Sequence, residues 1–121
     1  MKVKKSIQLT TLPLDDLLKY KEAVDFRLDE ESWKDLKVGD ILEFWEDFSG
    51  WDKWPSERSR RVQVKLVEIF RASSFSDLID GLPKSFSKWQ KKEEIIEDLR
   101  KWWTPEREQQ MGVLGFFVQV I

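Results

Sequence analysis

The segment from Arg60 to Arg71 changes its apolar parity part-way along. Val62, Val64 and Leu66 alternate with polar or charged neighbours, and then Val67 and Ile69 continue on the opposite parity. Alternation with period two marks a strand with one buried face, and a parity change marks a bulge. A long strand bent in this way belongs to a small barrel more naturally than to a flat sheet. The rest of the chain can be read around that strand.

Three other segments alternate. Val3, Ile7 and Leu9 interleave with Lys4, Ser6 and Gln8; Leu42 and Phe44 share a face between Ile41 and Trp45; and Leu114, Phe116, Val118 and Val120 share one in the last segment. The clearest alternation is Val24, Phe26 and Leu28 against Ala23, Asp25 and Arg27, which presents a carboxylate and a guanidinium together opposite the apolar set. Between the strands the period changes to helical. Leu14, Leu17 and Leu18 follow Pro13, and a helical turn is expected within Asp29 to Leu36. Ser74 and Asp77 form a capping-box pattern ahead of Phe75, Leu78, Ile79 and Leu82. Phe86 and Trp89 precede a helix carrying Ile95, Ile96, Leu99, Trp102 and Trp103, and Thr104-Pro105-Glu106 restarts a short helix that Gly112 ends. Lys37-Val38-Gly39-Asp40 is a turn in which Gly39 can take a positive φ. The order β-α-β-β-β-α-α-α-β predicts an α+β fold, a small mixed or antiparallel β-barrel with short helices covering one opening. The 121 residues suit one domain, residues 1–121, and no tail or second domain is expected after the last strand.

Composition removes much chemistry. The chain has no Cys and no His, so disulfides, thiolate nucleophiles, Cys-based zinc sites and Ser-His arrangements are excluded. What chemistry remains falls to carboxylates, Lys, Tyr20 and hydroxyls. Asp15, Asp16, Glu22 and Asp25 crowd together but follow no cation-loop spacing, so no metal and no cofactor is expected. Ser6, Gln8, Thr10 and Thr11 interrupt any apolar run after the charged start; no signal peptide, no membrane partner and a cytoplasmic location are expected. The net charge of −2 does not advertise a nucleic-acid binder, so a local patch would have to serve.

Four landmarks carry a resemblance. They are Lys21-Glu22-Ala23-Val24-Asp25-Phe26-Arg27 after the first helix; Leu36-Lys37-Val38-Gly39-Asp40-Ile41-Leu42-Glu43-Phe44; the strand from Val62 running into Ser74-Phe75; and Met111-Gly112-Val113-Leu114-Gly115. In this order and rough spacing, covering nearly the whole chain, they resemble the ASCH family of the PUA-like superfamily. The family signature G-x-K-x-x-E-x-R falls on Tyr20 to Arg27. Arg27 is kept and the acid is Asp25, while Tyr20 stands at the Gly and Glu22 at the Lys; Lys21 sits one place early. The resemblance implies the barrel fold and a ligand cleft lined by the face of Asp25 and Arg27. Some members resemble amidohydrolases acting on acetylated cytidine through that Lys and a following Thr, positions held here by Glu22 and Asp25. A binding module is therefore expected ahead of a catalyst, and no catalytic residue is assigned.

The candidate ligand-binding residues are Lys21, Asp25, Arg27, Trp45, Trp51, Trp54, Arg58, Arg60 and Arg61. Asp25 and Arg27 can read a base edge or hold phosphate, or form a structural ion pair. Trp45, Trp51 and Trp54 lie on and beside one loop followed by three Arg, a combination that stacks unpaired bases and tracks phosphate; the alternative is that the rings cover a barrel opening. Asp52 and Glu57 weaken the local field. Lys88, Lys91 and Lys92 ahead of Glu93, Glu94, Glu97 and Asp98 read as a solvated helix face. The expected partner is RNA or a nucleoside or nucleotide, with a protein partner as the alternative.

Overall fold

The computed structural model describes residues 2–83 and 91–121. Phe86, Lys88 and Trp89 lie outside the described residues. The elements follow the order β1 (Val3–Thr10), α1 (Thr11–Tyr20), β2 (Glu22–Leu28), a 3₁₀ turn (Glu31–Trp33), β3 (Ile41–Asp47), β4 (Arg61–Ala72), α2 (Phe75–Gly81), α3 (Lys92–Leu99), α4 (Pro105–Met111) and β5 (Val113–Val120). This is an α+β chain with one mixed five-stranded sheet, ordered β1-β3-β4-β5-β2. β1 pairs parallel with β3 and β3 pairs antiparallel with β4. Among the described residues the strand order is open, with β1 and β2 at its edges, where the sequence pointed to a closed barrel. No helix of the described residues is long and apolar enough to cross a membrane.

The chain divides into two compact units: Met1–Ala23, Leu36–Glu68 and Phe117–Ile121 form the first, Val24–Asp35 and Ile69–Phe116 the second. The border on β4 falls between Glu68 and Ile69, and the strict alternation of buried Val62, Val64 and Leu66 ends just before it.

In the first unit, α1 buries Leu14 and Leu17 and ends at Lys21, which takes a left-handed conformation (φ 64°) and donates its N–H to the Leu17 carbonyl. The helix therefore stops without a glycine. β3 is buried on both faces: Leu42 and Phe44 on one, Ile41 and Trp45 on the other. A single buried face was expected; an inner strand of a sheet loses solvent on both sides. Phe44 lies opposite Val62 and Leu42 opposite Val64, so the apolar sets of β3 and β4 meet face by face. The turn before β3 is as the sequence requires, with Gly39 at φ 98° and the Asp40 carboxylate accepting the Lys37 N–H at 2.8 Å.

The second unit gathers Leu28, Phe75, Leu78, Leu99 and Val113, with Phe26, Phe70, Ala72, Ile95, Trp103 and Met111 packed against them. Phe75 stands edge-on to Phe26 at 6.3 Å and lies against Trp103 at 5.8 Å. Ser74 caps α2 by accepting the Asp77 N–H. A buried carboxylate does the rest there: Glu108 of α4 accepts the N–H of Phe75, the first residue of α2, at 2.8 Å and is ion-paired with Arg100. α3 ends at Leu99, earlier than the apolar spacing through Trp102 and Trp103 suggested. Thr104 must be extended to precede Pro105 and cap α4, so the helix cannot run on. Of the adjacent indoles, Trp103 packs inward and Trp102 is exposed.

Gly112 joins α4 to β5 with φ 74° and ψ −179°, a region that is essentially glycine's alone. Its N–H meets the Glu108 carbonyl and its carbonyl accepts the Asp29 N–H, so the backbone there cannot relax. An added Cβ would also lie 3.3 Å from the Ala72 carbonyl oxygen. Gly112→Ala is expected to lower stability by about 1–3 kcal/mol, read as a fall in the urea midpoint with an unchanged slope.

Candidate functional site

β3 ends with two carboxylates, Glu46 and Asp47, both buried at 3% and 1% exposure. Each fixes part of the connection to β4. The Arg60 guanidinium grips Glu46 in two places, Nε to Oε1 at 3.0 Å and Nη2 to Oε2 at 2.7 Å, and reaches Asp15 of α1 at 2.7 Å. The Arg60 N–H also donates to Glu46 Oε1, and the Ser59 hydroxyl donates to the Glu46 carbonyl. Hydrogen bonding from Arg60 holds the Glu46 carboxyl down at about 2, against the desolvation that would raise it; Glu46 in turn, with Asp15, raises Arg60 further above its usual range.

Asp47 organises the loop itself. Its Oδ1 accepts the N–H groups of Gly50 at 2.9 Å and Asp52 at 3.1 Å, while its Oδ2 accepts from the Gln8 side-chain amide at 3.0 Å. Asp52 answers by accepting the Phe48 N–H at 3.1 Å and the Ser49 hydroxyl at 2.7 Å, and Ser49 Oγ accepts the Trp51 N–H at 3.0 Å. The Ser49 hydrogen bond holds the Asp52 carboxyl below its ordinary value. Gly50, buried at φ 85°, makes the reversal possible. On this frame Trp51 and Trp54 are 77% and 76% exposed, and Phe48 is exposed beside them.

The first unit thus brings together Trp51, Trp54, Arg58, Arg60 and Arg61, but not in equal roles. Trp51, Trp54 and Arg58 are exposed. Arg61 is exposed and ion-paired with Glu43 at 3.3 Å. Arg60, expected to contact phosphate, is instead the partner of a buried carboxylate. Trp45, expected as a stacking face, is buried at 6% exposure; inward-facing on an inner strand, it offers no ring face to a ligand. Lys21 is exposed at the cap of α1 rather than on a face of β2, and the Val120 N–H donates to its carbonyl.

In the second unit, Asp25 and Arg27 pair with each other, Nε to Oδ2 at 2.9 Å, with side chains only 11% and 17% exposed. The Arg27 guanidinium lies over the Trp33 ring at 5.6 Å, and Trp33 stands edge-on to Phe116 at 5.6 Å. The face that the sequence offered to a ligand is largely covered, and the structural ion pair is the arrangement found.

Glu46 and Asp47 were missed as organising residues. A signal existed for each: Glu46 continues the parity of Leu42 and Phe44 inward, and Asp47-Phe48-Ser49-Gly50 is an Asp-to-Gly turn pattern. Among the described residues no three acidic side chains converge as a cation site would need.

No protein-family model matches the sequence, and no curated protein is significantly similar to it. Solved structures are similar across nearly the full length, among them the following two. The crystal structure of the hypothetical protein PH0355 superposes with a TM-score of 0.72 at 22% identity, covering 97% of this chain and 98% of that one. The solution structure of PF0455 from Pyrococcus furiosus gives 0.63 at 19% identity, covering 97% of each. At these identities the likeness establishes a shared fold.

Because Glu46 is held at about 2, below its ordinary 4.5, its contribution to stability is complete above pH 4.5 and is lost as pH falls through 2. The difference in urea midpoint between the wild type and Glu46→Gln is expected to be largest above pH 4.5 and to shrink steadily toward pH 2. A difference independent of pH would mean that the charge of Glu46 is not what Arg60 recognises.

Proposed function

We propose that this chain is a PUA-like module of the ASCH type, acting in the cytoplasm, that binds unpaired RNA or a modified nucleoside on its aromatic loop. The observation that carries the reading is the exposure of Trp51 and Trp54 on a loop whose backbone is already hydrogen-bonded. An indole left in water gains by stacking on a base, and a fixed loop gives up little entropy when it does so. Lys53 stands between the two indoles, and Arg58 and Arg61 follow. Between residues 48 and 61, Lys53, Arg58 and Arg61 stand against Asp52 and Glu57, with Arg60 engaged by Glu46 and Asp15. Glu22 at the signature's Lys position, and Asp25 engaged by Arg27, favour binding over amide hydrolysis.

Labelled single-stranded oligouridylate, followed by fluorescence anisotropy, tests this. Trp51→Ala and Trp54→Ala, at exposed positions, should each weaken binding by about tenfold while leaving the thermal midpoint in place. Arg58→Ala should flatten the salt dependence without abolishing binding. Absence of binding at low salt would reject the nucleic-acid reading and leave the exposed rings as a docking face for a protein, whose complex would be insensitive to salt.

A further inference from the structure

We infer that buried Asp47 is the positioning residue of the aromatic loop, and that the affinity of the loop for an unpaired base is set through it. This rests on the proposed function above for the ligand, but not for the ordering of the loop. A carboxylate at 1% exposure is expensive unless its oxygens are filled, and Asp47 fills them with the N–H groups of Gly50 and Asp52 on one side and the Gln8 amide of β1 on the other. The loop is thereby tied to the edge strand of the sheet as well as to its own root on β3. The N–H groups donated to Asp47 bracket Trp51, and the Trp51 N–H itself is held by Ser49, whose hydroxyl is shared with Asp52. The N–H groups of Gly50 and Asp52 therefore meet buried Asp47, and the Trp51 N–H between them is held by the exposed Ser49 hydroxyl. With the backbone on either side of Trp51 fixed in this way, Phe48 and Trp51 stand in solvent. Without Asp47 the same residues could turn inward and the ring faces would be lost to the ligand.

The test uses the full chain with Asp47→Leu, which keeps the branched shape in a larger side chain and removes both acceptors, and Asp47→Asn, which keeps size and the carbonyl acceptor. Amide hydrogen exchange at Gly50 and Asp52 should quicken by about tenfold or more in Asp47→Leu while β3 amides stay protected. Oligouridylate binding should weaken by about threefold or more, and Asp47→Asn should restore both. A merely stabilising Asp47 would lower the thermal midpoint and leave the affinity of the folded protein alone. Wild-type protection at Gly50 and Asp52 in Asp47→Leu overturns the inference, and so does lost protection with unchanged affinity. Should Asp47→Leu not fold, Asp52→Ala, at the solvent side of the same network, should release the Phe48 amide and weaken binding in the same direction; unchanged behaviour there overturns the inference as well. If the wild-type chain binds no oligonucleotide, the functional reading fails, and the ordering role of Asp47 is decided by exchange alone.

Discussion

Burying a carboxylate imposes a condition on its surroundings: every charged oxygen must find donors, or the group must leave the interior. Glu46, Asp47 and Glu108 are the buried charged residues among those described, and each has shaped the backbone near it. Glu46 takes the guanidinium of Arg60 in a two-pronged grip that also draws in Asp15 of α1, so one cation links a helix, an inner strand and the entry to β4. Asp47 takes peptide N–H groups and thereby dictates a loop. Glu108 takes the otherwise orphaned N–H of Phe75 at the start of α2, with Arg100 on its other oxygen. The apolar cores hold each unit together without direction; these three acids supply direction.

The same condition explains why residues with binding chemistry in the sequence divide as they do. Arg60 and Arg27 each carry a guanidinium that suits phosphate, but each already has a carboxylate at hydrogen-bonding distance. The cost of stripping a buried or half-buried acid of its cation is large, so these arginines are structural first. Arg61 is different, since an exposed pair with Glu43 costs little to break. Lys53 and Arg58, both exposed, complete the cations of the aromatic loop.

Local periodicity made most of the elements legible. The order of strands and helices follows from switches between period two and period 3.6, and the caps at Ser74, Thr104 and Gly112 lie where side-chain chemistry puts them. The parity change after Leu66 reads as a bulge, and the strict alternation of buried residues on β4 ends at Leu66. What was not legible is non-local. Strand order depends on which edges meet, and nothing in β1 alone says that it will lie parallel to β3. Coverage of both faces of β3 turned Trp45 from a candidate ligand contact into core, and coverage of β2 turned Asp25 and Arg27 into each other's partners. Glu46 falls between these cases: its inward parity was readable, but its partner lies fourteen residues away across a loop.

If the aromatic loop binds unpaired bases as proposed, affinity has to come chiefly from ring faces. Each phosphate contact releases about one counterion, so the few exposed cations would supply only a modest and salt-sensitive share. Two stacked bases can supply more, at about 1–3 kcal/mol each. Such a surface would discriminate between strands by structure more than by sequence. In a duplex the base faces are already stacked on one another and closed to an indole, whereas a loop, a bulge or an end offers them at little cost. A chain with net charge −2 is then no contradiction for a nucleic-acid binder. On the proposed function, weak long-range attraction would disfavour duplex, which is read mainly through its backbone, and would leave selection to the exposed rings of Trp51 and Trp54.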